Sequence, residues 1–164
     1  MTGAGADAPR GTARAGAPPL PSPVGPHHVG ISVADLEESI AWYERVLGFR
    51  LEAVVGIPED DGRVAMLEQH GFRVELFELP GAAPLPPARR EPGSDVRTHG
   101  VKHLAYRVSD IEAHAERLRA LGVDVVWDVR VHEDVKVVFV RDNTGNLVEL
   151  VEPLQAADPA RGTA

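Results

Sequence analysis

Two histidines and two glutamates recur at matched places along this chain. His28 and His103 each open an apolar stretch, 75 residues apart, while Glu75 and Glu149 each interrupt one, 74 residues apart. A charged acid inside an apolar strand is costly unless it is paired or bound to metal. Two imidazoles and two carboxylates around one divalent cation make a neutral ligand set. Such nitrogen and oxygen donors suit Zn, Ni, Co, Mn or Fe(II), with positions left open for water or substrate. There is no cysteine, so disulfides, thiolate zinc sites and a cysteine nucleophile are excluded.

These four residues sit in a duplicated pattern. The run from His28 to Glu37 aligns with the run from His103 to Glu112 at an offset of 75. Leu47-Gly48 aligns with Leu121-Gly122, and Val74–Glu78 aligns with Val148–Glu152, both at an offset of 74. One single-residue gap reconciles the three blocks, which marks a repeated module.

Each module starts with a strand, 28–33 and 103–108, in which apolar residues alternate with His and small or polar ones. Asp35 and Asp110 stand where helix N-caps belong, and Glu38 makes a capping box with Asp35. Leu36, Ile40, Tyr43 and Leu47, then Ile111, Ala115 and Leu118, step as the buried stripe of a helix. Gly48 and Gly122 follow as stops. Strands are expected over 50–56, 63–69 and 72–79, then over 123–131, 136–141 and 147–152. The order is βαβββ twice: an α+β domain whose cupped, mostly antiparallel sheet carries its helices outside.

Strand parity assigns the chemistry to one face. Val29, Ile31 and Val33 pack under the helix, so His28 points the other way; Leu104, Tyr106 and Val108 do the same for His103. Arg73, Glu75 and Phe77 share one face of the last strand of module one, as Leu147, Glu149 and Val151 do in module two. Arg107 shares the face of His103. Arg107, Arg73 and Phe77 are therefore the candidate substrate contacts beside the four candidate ligands, the two arginines for an anionic group.

Around this body the composition changes. Residues 1–25 are rich in Gly, Ala and Pro without period and read as a disordered arm. Residues 154–164 read as a frayed tail. Module one is expected over 26–80, a Pro-rich linker over 81–100 and module two over 101–153. The net charge of −8 disfavours nucleic acid and anionic membrane surfaces, both of which require a basic face. No apolar run approaches the ~20 residues of a membrane span, and no secretory h-region is present. A cytoplasmic protein acting on a small molecule is the expectation.

The strings HHVGISVADLEESIAWYERVLGFRL, FRVELFE, GVKHLAYRVSDIEAHAERLRALGV and RDNTGNLVELVEP resemble the vicinal oxygen chelate superfamily, which includes glyoxalase I, bleomycin-resistance proteins, extradiol dioxygenases and methylmalonyl-CoA epimerase. The resemblance spans about residues 26–153. It implies paired modules curled around one divalent metal held by His28, Glu75, His103 and Glu149, a set that matches glyoxalase I best. It further implies a homodimer, with half-sites paired within one chain or across two. By the same resemblance the activity is metal-dependent proton transfer next to a chelated carbonyl, with Glu149 as principal base and Glu75 as its partner. An Fe(II) dioxygenase and a non-catalytic, drug-sequestering binder are the alternatives. Ala65 stands at or near the place of the epimerases' catalytic Glu, and both tyrosines, Tyr43 and Tyr106, are assigned to the helix-packed face. The support expected for catechol cleavage is thus missing.

Overall fold

The computed structural model describes residues 23–58 and 60–154, so the expected arm and tail fall almost entirely outside the described residues. Module one runs β1 (His28–Ser32), α1 (Leu36–Trp42), β2 (Arg50–Ile57), β3 (Gly62–Gln69) and β4 (Phe72–Glu78). The segment between modules holds a short helical turn at Pro87–Arg89 and α2 (Pro92–Asp95). Module two repeats the order with β5 (Leu104–Arg107), α3 (Ile111–Ala120), β6 (Asp124–His132), β7 (Val135–Arg141) and β8 (Leu147–Pro153). Two four-stranded sheets result, in orders β1-β4-β3-β2 and β5-β8-β7-β6. In each, only the first and last strands of the module pair in parallel. This is the α+β, twice-βαβββ architecture that the repeat predicts. Among the described residues, no helix is long and apolar enough to cross a membrane.

Parity places the core as expected. Val74, Leu76, Ala65 and Leu67 are fully buried under α1, and Ile111, Val138, Val140 and Val148 lie in the same continuous cluster with Leu36 and Tyr43. One apolar core therefore serves both modules. The stripe of α1 differs in detail from the expected one. Ile40 and Leu47 are only half-buried, whereas Ser39 and Trp42 are buried. After Trp42 the chain widens into a π-type turn over Tyr43–Leu47 before stopping at Gly48, whose φ of 76° suits glycine. Ser39 and Trp42 lie within α1, three residues apart on its inward side, and Ser39 is satisfied by donating to the carbonyl of Asp35 (2.6 Å).

The helix caps form, but by a route the sequence pattern does not specify. Asp35 accepts from the Glu38 amide (2.8 Å) and Asp110 from the Ala113 amide (3.1 Å). An acid on the last strand of each module adds to the cap. Glu78, at the end of β4, accepts from the Leu36 amide (3.2 Å), and Glu152 on β8 accepts from the Asp110 and Ile111 amides (3.0 and 3.1 Å). These two acids are repeat equivalents. A carboxylate at a helix N-terminus satisfies orphan amides and complements the dipole.

The modules are locked together by the turn between β7 and β8. Asp142, 5% exposed, accepts from the amides of Thr144, Gly145 and Asn146 and from the Asn146 side chain. Its second oxygen also accepts from the Tyr43 hydroxyl of module one (3.2 Å). Thr144 Oγ1 accepts from the Ala34 amide (3.0 Å), and the Asn146 side chain donates to the Ser32 carbonyl (3.4 Å). Burial and the nearby Asp142 carboxylate both push the Tyr43 hydroxyl well above its ordinary pKa, so it remains a donor. An Asp142→Ala change removes an ionised acceptor and strands a buried hydroxyl, and should lower stability by about 2–4 kcal/mol in chemical denaturation. Asp142→Asn, which keeps one acceptor oxygen, should cost less.

Candidate functional site

The parallel pairing of β1 with β4 sets Gly30 opposite Glu75, and that of β5 with β8 sets Ala105 opposite Glu149. Each histidine lies two residues before that partner on the same face. Its ring therefore meets the acid diagonally: His28 Nε2 is 3.2 Å from Glu75 Oε2, and His103 Nε2 is 3.1 Å from Glu149 Oε2. Adjacent ligands with bonds of about 2.1 Å lie roughly 3.0 Å apart at right angles and about 3.4 Å apart at tetrahedral angles. Both pairs therefore have the bite of two neighbouring ligands on one ion. Their side chains are partly accessible, 38% and 23% in the first pair and 32% and 16% in the second.

The two pairs are not brought together within this chain. Among the described residues, the only group of three or more candidate ligands is Asp35, Glu37 and Glu78. That group is occupied otherwise, since Arg63 pairs with Glu37 and Glu78 while Asp35 and Glu78 cap α1. The separation follows from the packing. The end of β1, at Ser32, meets the turn before β8 through Asn146, and His28 lies four residues upstream, about 13 Å along an extended strand. A groove of about 910 Å³ lies between β1, the segment 78–86 and the start of β5. His103 lines it; His28, Glu75 and Glu149 do not.

The surroundings of the two pairs differ. In module one the Phe77 ring lies over Gly30: a Cβ there would stand 2.9 Å from Phe77 Cε2 and 3.9 Å from Glu75 Oε2. Met66 pairs opposite Glu75. Arg73, expected to be a substrate contact, is engaged by Glu52 at 2.8 and 3.3 Å. Their mutual attraction lowers the Glu52 carboxyl and raises the Arg73 guanidinium from their ordinary values. In module two Phe139 pairs opposite Glu149 and meets both the His103 ring (5.0 Å) and the Trp127 ring (5.3 Å) edge-on. Arg107 makes no ion pair or side-chain hydrogen bond among the described residues.

Phe139, Trp127 and Met66 escape sequence reasoning because strand parity places a residue on a face without saying which acid it faces. Antiparallel register supplies that. Ala65 pairs with Leu76 and is fully buried, so an acid at 65 would enter the core, not the cup. Tyr43 and Tyr106 lie on the core side. Tyr106 packs against Phe49 and Phe72, and burial raises its hydroxyl well above the ordinary value.

Comparison with known proteins gives the fold and the family. The family model described as the Glyoxalase/Bleomycin resistance protein/Dioxygenase superfamily matches residues 25–150. The ethylmalonyl-CoA/methylmalonyl-CoA epimerase of Cereibacter sphaeroides is 32% identical over 136 residues, spanning 76% of this chain and 94% of that protein. The lactoylglutathione lyase of Haemophilus influenzae is 31% identical over 130 residues, spanning 76% of this chain and 90% of that one. A glyoxalase family protein from Enterococcus faecalis superposes with a TM-score of 0.67 at 24% identity, covering 79% of this chain and 98% of the other.

The glycine beneath Phe77 gives a local test. Gly30→Ala crowds the ring and should cost about 1–2 kcal/mol, read by denaturation, with the Phe77 ring signals shifted in NMR spectra. The equivalent Ala105→Gly only loosens a strand and should cost about 0.5–1 kcal/mol.

Proposed function

Because the chain belongs to the glyoxalase/bleomycin resistance protein/dioxygenase superfamily, we propose that it is a metal-dependent enzyme of glyoxalase type, which moves a proton on a small substrate bound through two adjacent oxygens. The observation that carries this reading is the pair of His–Glu contacts, 3.2 and 3.1 Å, at equivalent places in the two modules. His28, Glu75, His103 and Glu149 are the residues that would hold the ion. When bound, a divalent metal supplies Lewis-acid polarisation of a chelated carbonyl. Glu149 is the base for the proton next to that carbonyl, being the less accessible acid and standing beside Phe139. Glu75, beside Phe77 and Met66, returns the proton. Both carboxylates stay partly accessible, 23% and 16%, so a proton taken up by either can exchange with solvent before it is returned.

The same reading includes a homodimer that completes the site. Each histidine lies at an edge strand, His28 in β1 and His103 directly before β5, with its glutamate on the adjacent inner strand, β4 or β8. No three of the four residues group within one chain among those described. An exposed strand edge favours a partner, and a two-fold pairing of the β1 edge of one protomer with the β5 edge of the other joins one pair from each.

Subunit mixing tests both metal and assembly. The His28→Ala, Glu75→Ala double variant and the His103→Ala, Glu149→Ala double variant should each fail to retain Ni, Co, Zn, Mn or Fe(II) by elemental analysis. Unfolded together and refolded, they should recover metal in the mixed dimer, which contains one intact pair of each kind. Recovery of none, with mixed dimers present, contradicts a site shared between protomers. Retention of full metal by either double variant contradicts the ligand set.

The proton-transfer step is tested with deuterated solvent. A turned-over 2-oxo or 2-hydroxy carbonyl compound should exchange its alpha proton, and Glu149→Gln should slow that exchange by roughly 10²–10⁴, the range of a lost general base. Exchange unchanged by Glu149→Gln and by Glu75→Gln removes both carboxylates from the mechanism.

A further inference from the structure

The two histidines reach their places by different means. His28 lies inside β1, with Arg73 opposite it in register. His103 stands one residue outside its strand, because the pairing of β5 with β8 begins at Leu104 opposite Val148. Strand pairing therefore anchors the backbone of His103 on one side only. Its ring nevertheless meets two partners at once, Glu149 at 3.1 Å and Phe139 edge-on at 5.0 Å.

The other side is held by side chains of the inter-module segment. Arg89 donates to the Val101 carbonyl and to Asp95 Oδ1 (2.6 Å). Lys102 donates to the Asp95 carbonyl (2.9 Å), to Asp95 Oδ1 (3.4 Å) and to the Thr98 carbonyl. Those acceptors match the three protons of its ammonium. Both residues directly before His103 are thus closed back onto residues 89–98. That segment is itself clasped to module two. Arg141 on β7 donates to the Arg90 carbonyl (2.7 Å) and pairs with Glu91.

Asp95 is the centre of this cluster. It is 1% exposed, and both cations share its Oδ1. Its Oδ2 is buried with no hydrogen-bond partner among the described residues, and the residue lies outside the apolar core. A buried ion cluster brings little net stability over an apolar replacement, and its best-attested use is to specify one arrangement. Arg89, Val101, Lys102 and His103 line the same groove, so the cluster forms the wall from which the histidine emerges. Module one is built otherwise. Residues 23–27, which lead into His28, are all exposed, and among the described residues no salt bridge holds them.

We infer that Asp95 is a positioning residue for the proposed metal site. Through Arg89 and Lys102 it fixes the backbone of residues 101–102, and with it the His103 ring against Glu149 and Phe139. This role rests on the proposed ligand set, of which His103 is a member. Asp95 acts on one ligand of the four and takes no part in the core, so its loss weakens the site and leaves the two modules folded.

Variants of the full chain test this with two readouts. In metal-free protein, NMR of isotope-labelled histidine rings reads the contact between His103 and Phe139 directly. Asp95→Ala and Lys102→Met should each weaken that contact and move the His103 ring signals, while those of His28 stay in place. Asp95→Asn, which keeps an acceptor oxygen for Arg89, should preserve most of the contact. Calorimetry with added Zn or Ni supplies the second readout. Affinity should fall about 10–100-fold in Asp95→Ala and Lys102→Met, the range for losing an outer partner of a ligand, and by less in Asp95→Asn. A merely structural role would lower the denaturation midpoint and leave the His103 contact intact in the folded protein. That result, or equal movement of the His28 and His103 signals, overturns the positioning role. Should Asp95→Ala fail to fold, Lys102→Met decides between the same outcomes. A displaced His103 ring with unchanged metal affinity, or with no metal bound by the unmodified protein, upholds the positioning of His103 and counts against the ligand set alone.

Discussion

The parallel pairing of the first and last strands in each module is the constraint on which the chemistry and much of the local architecture depend. With Gly30 opposite Glu75 and Ala105 opposite Glu149, a histidine two residues upstream reaches the acid diagonally on the same face. Side chains alternate with period two, so a slip of one residue would bury His28 under α1 and expose Val29 and Ile31. The register is held by that apolar alternation, since Val74, Leu76 and Val148 are almost wholly buried. It also delivers Glu78 and Glu152 to the helix N-termini, because a strand parallel to the first ends where the helix begins. One backbone pairing thereby positions a candidate ligand pair on one face and a helix cap on the other.

Duplication preserved this frame and released the rest. The His, the mid-strand Glu, the N-cap Asp and the capping Glu recur in both modules, and the two His–Glu distances differ by only a tenth of an ångström. Around them the modules diverge. Phe77 over Gly30 in one is answered by Val151 beside Ala105 in the other, and the aromatic bulk of module two comes from Phe139 and Trp127 on different strands. The arginine that follows His28 across the sheet is neutralised by Glu52, whereas Arg107 is left unpaired. Two equivalent halves repeat the same His–Glu donor pair. The walls around those pairs are unequal, with Phe77 over Gly30 in one module and Phe139 and Trp127 beside His103 in the other.

The shared core explains how such divergence is tolerated. Both sheets rest on one apolar cluster, and Asp142 ties the β7–β8 turn to Tyr43 of the other module. Residues on the cup face can then change without disturbing what holds the modules together. The segment between modules takes part as well. Arg141 grips it at Arg90 and Glu91, while Asp95, 1% exposed, is held by Arg89 and Lys102.

How much of this was legible beforehand depended on the range of each interaction. The repeat, the strand parity, the N-cap aspartates and the stop glycines are local or periodic signals. They were sufficient to lay out two βαβββ modules and to put His28, Glu75, His103 and Glu149 on one face. Glu78 and Glu152 were also within reach, as the second acids of the repeated VELFE and VELVE blocks, but their role required knowing that the strand ends beside a helix. Other features had no local signal. The bulge that sets Arg130 over Trp127, the clasp of Arg141 and the capture of Arg73 by Glu52 each join residues distant in the chain or depend on strand register. The separation of the two His–Glu pairs within one chain is of the same kind. Periodicity tells a side chain which face to occupy, whereas its neighbour across the sheet, and the distance between two sheets, arise only when the apolar faces have closed on a common core.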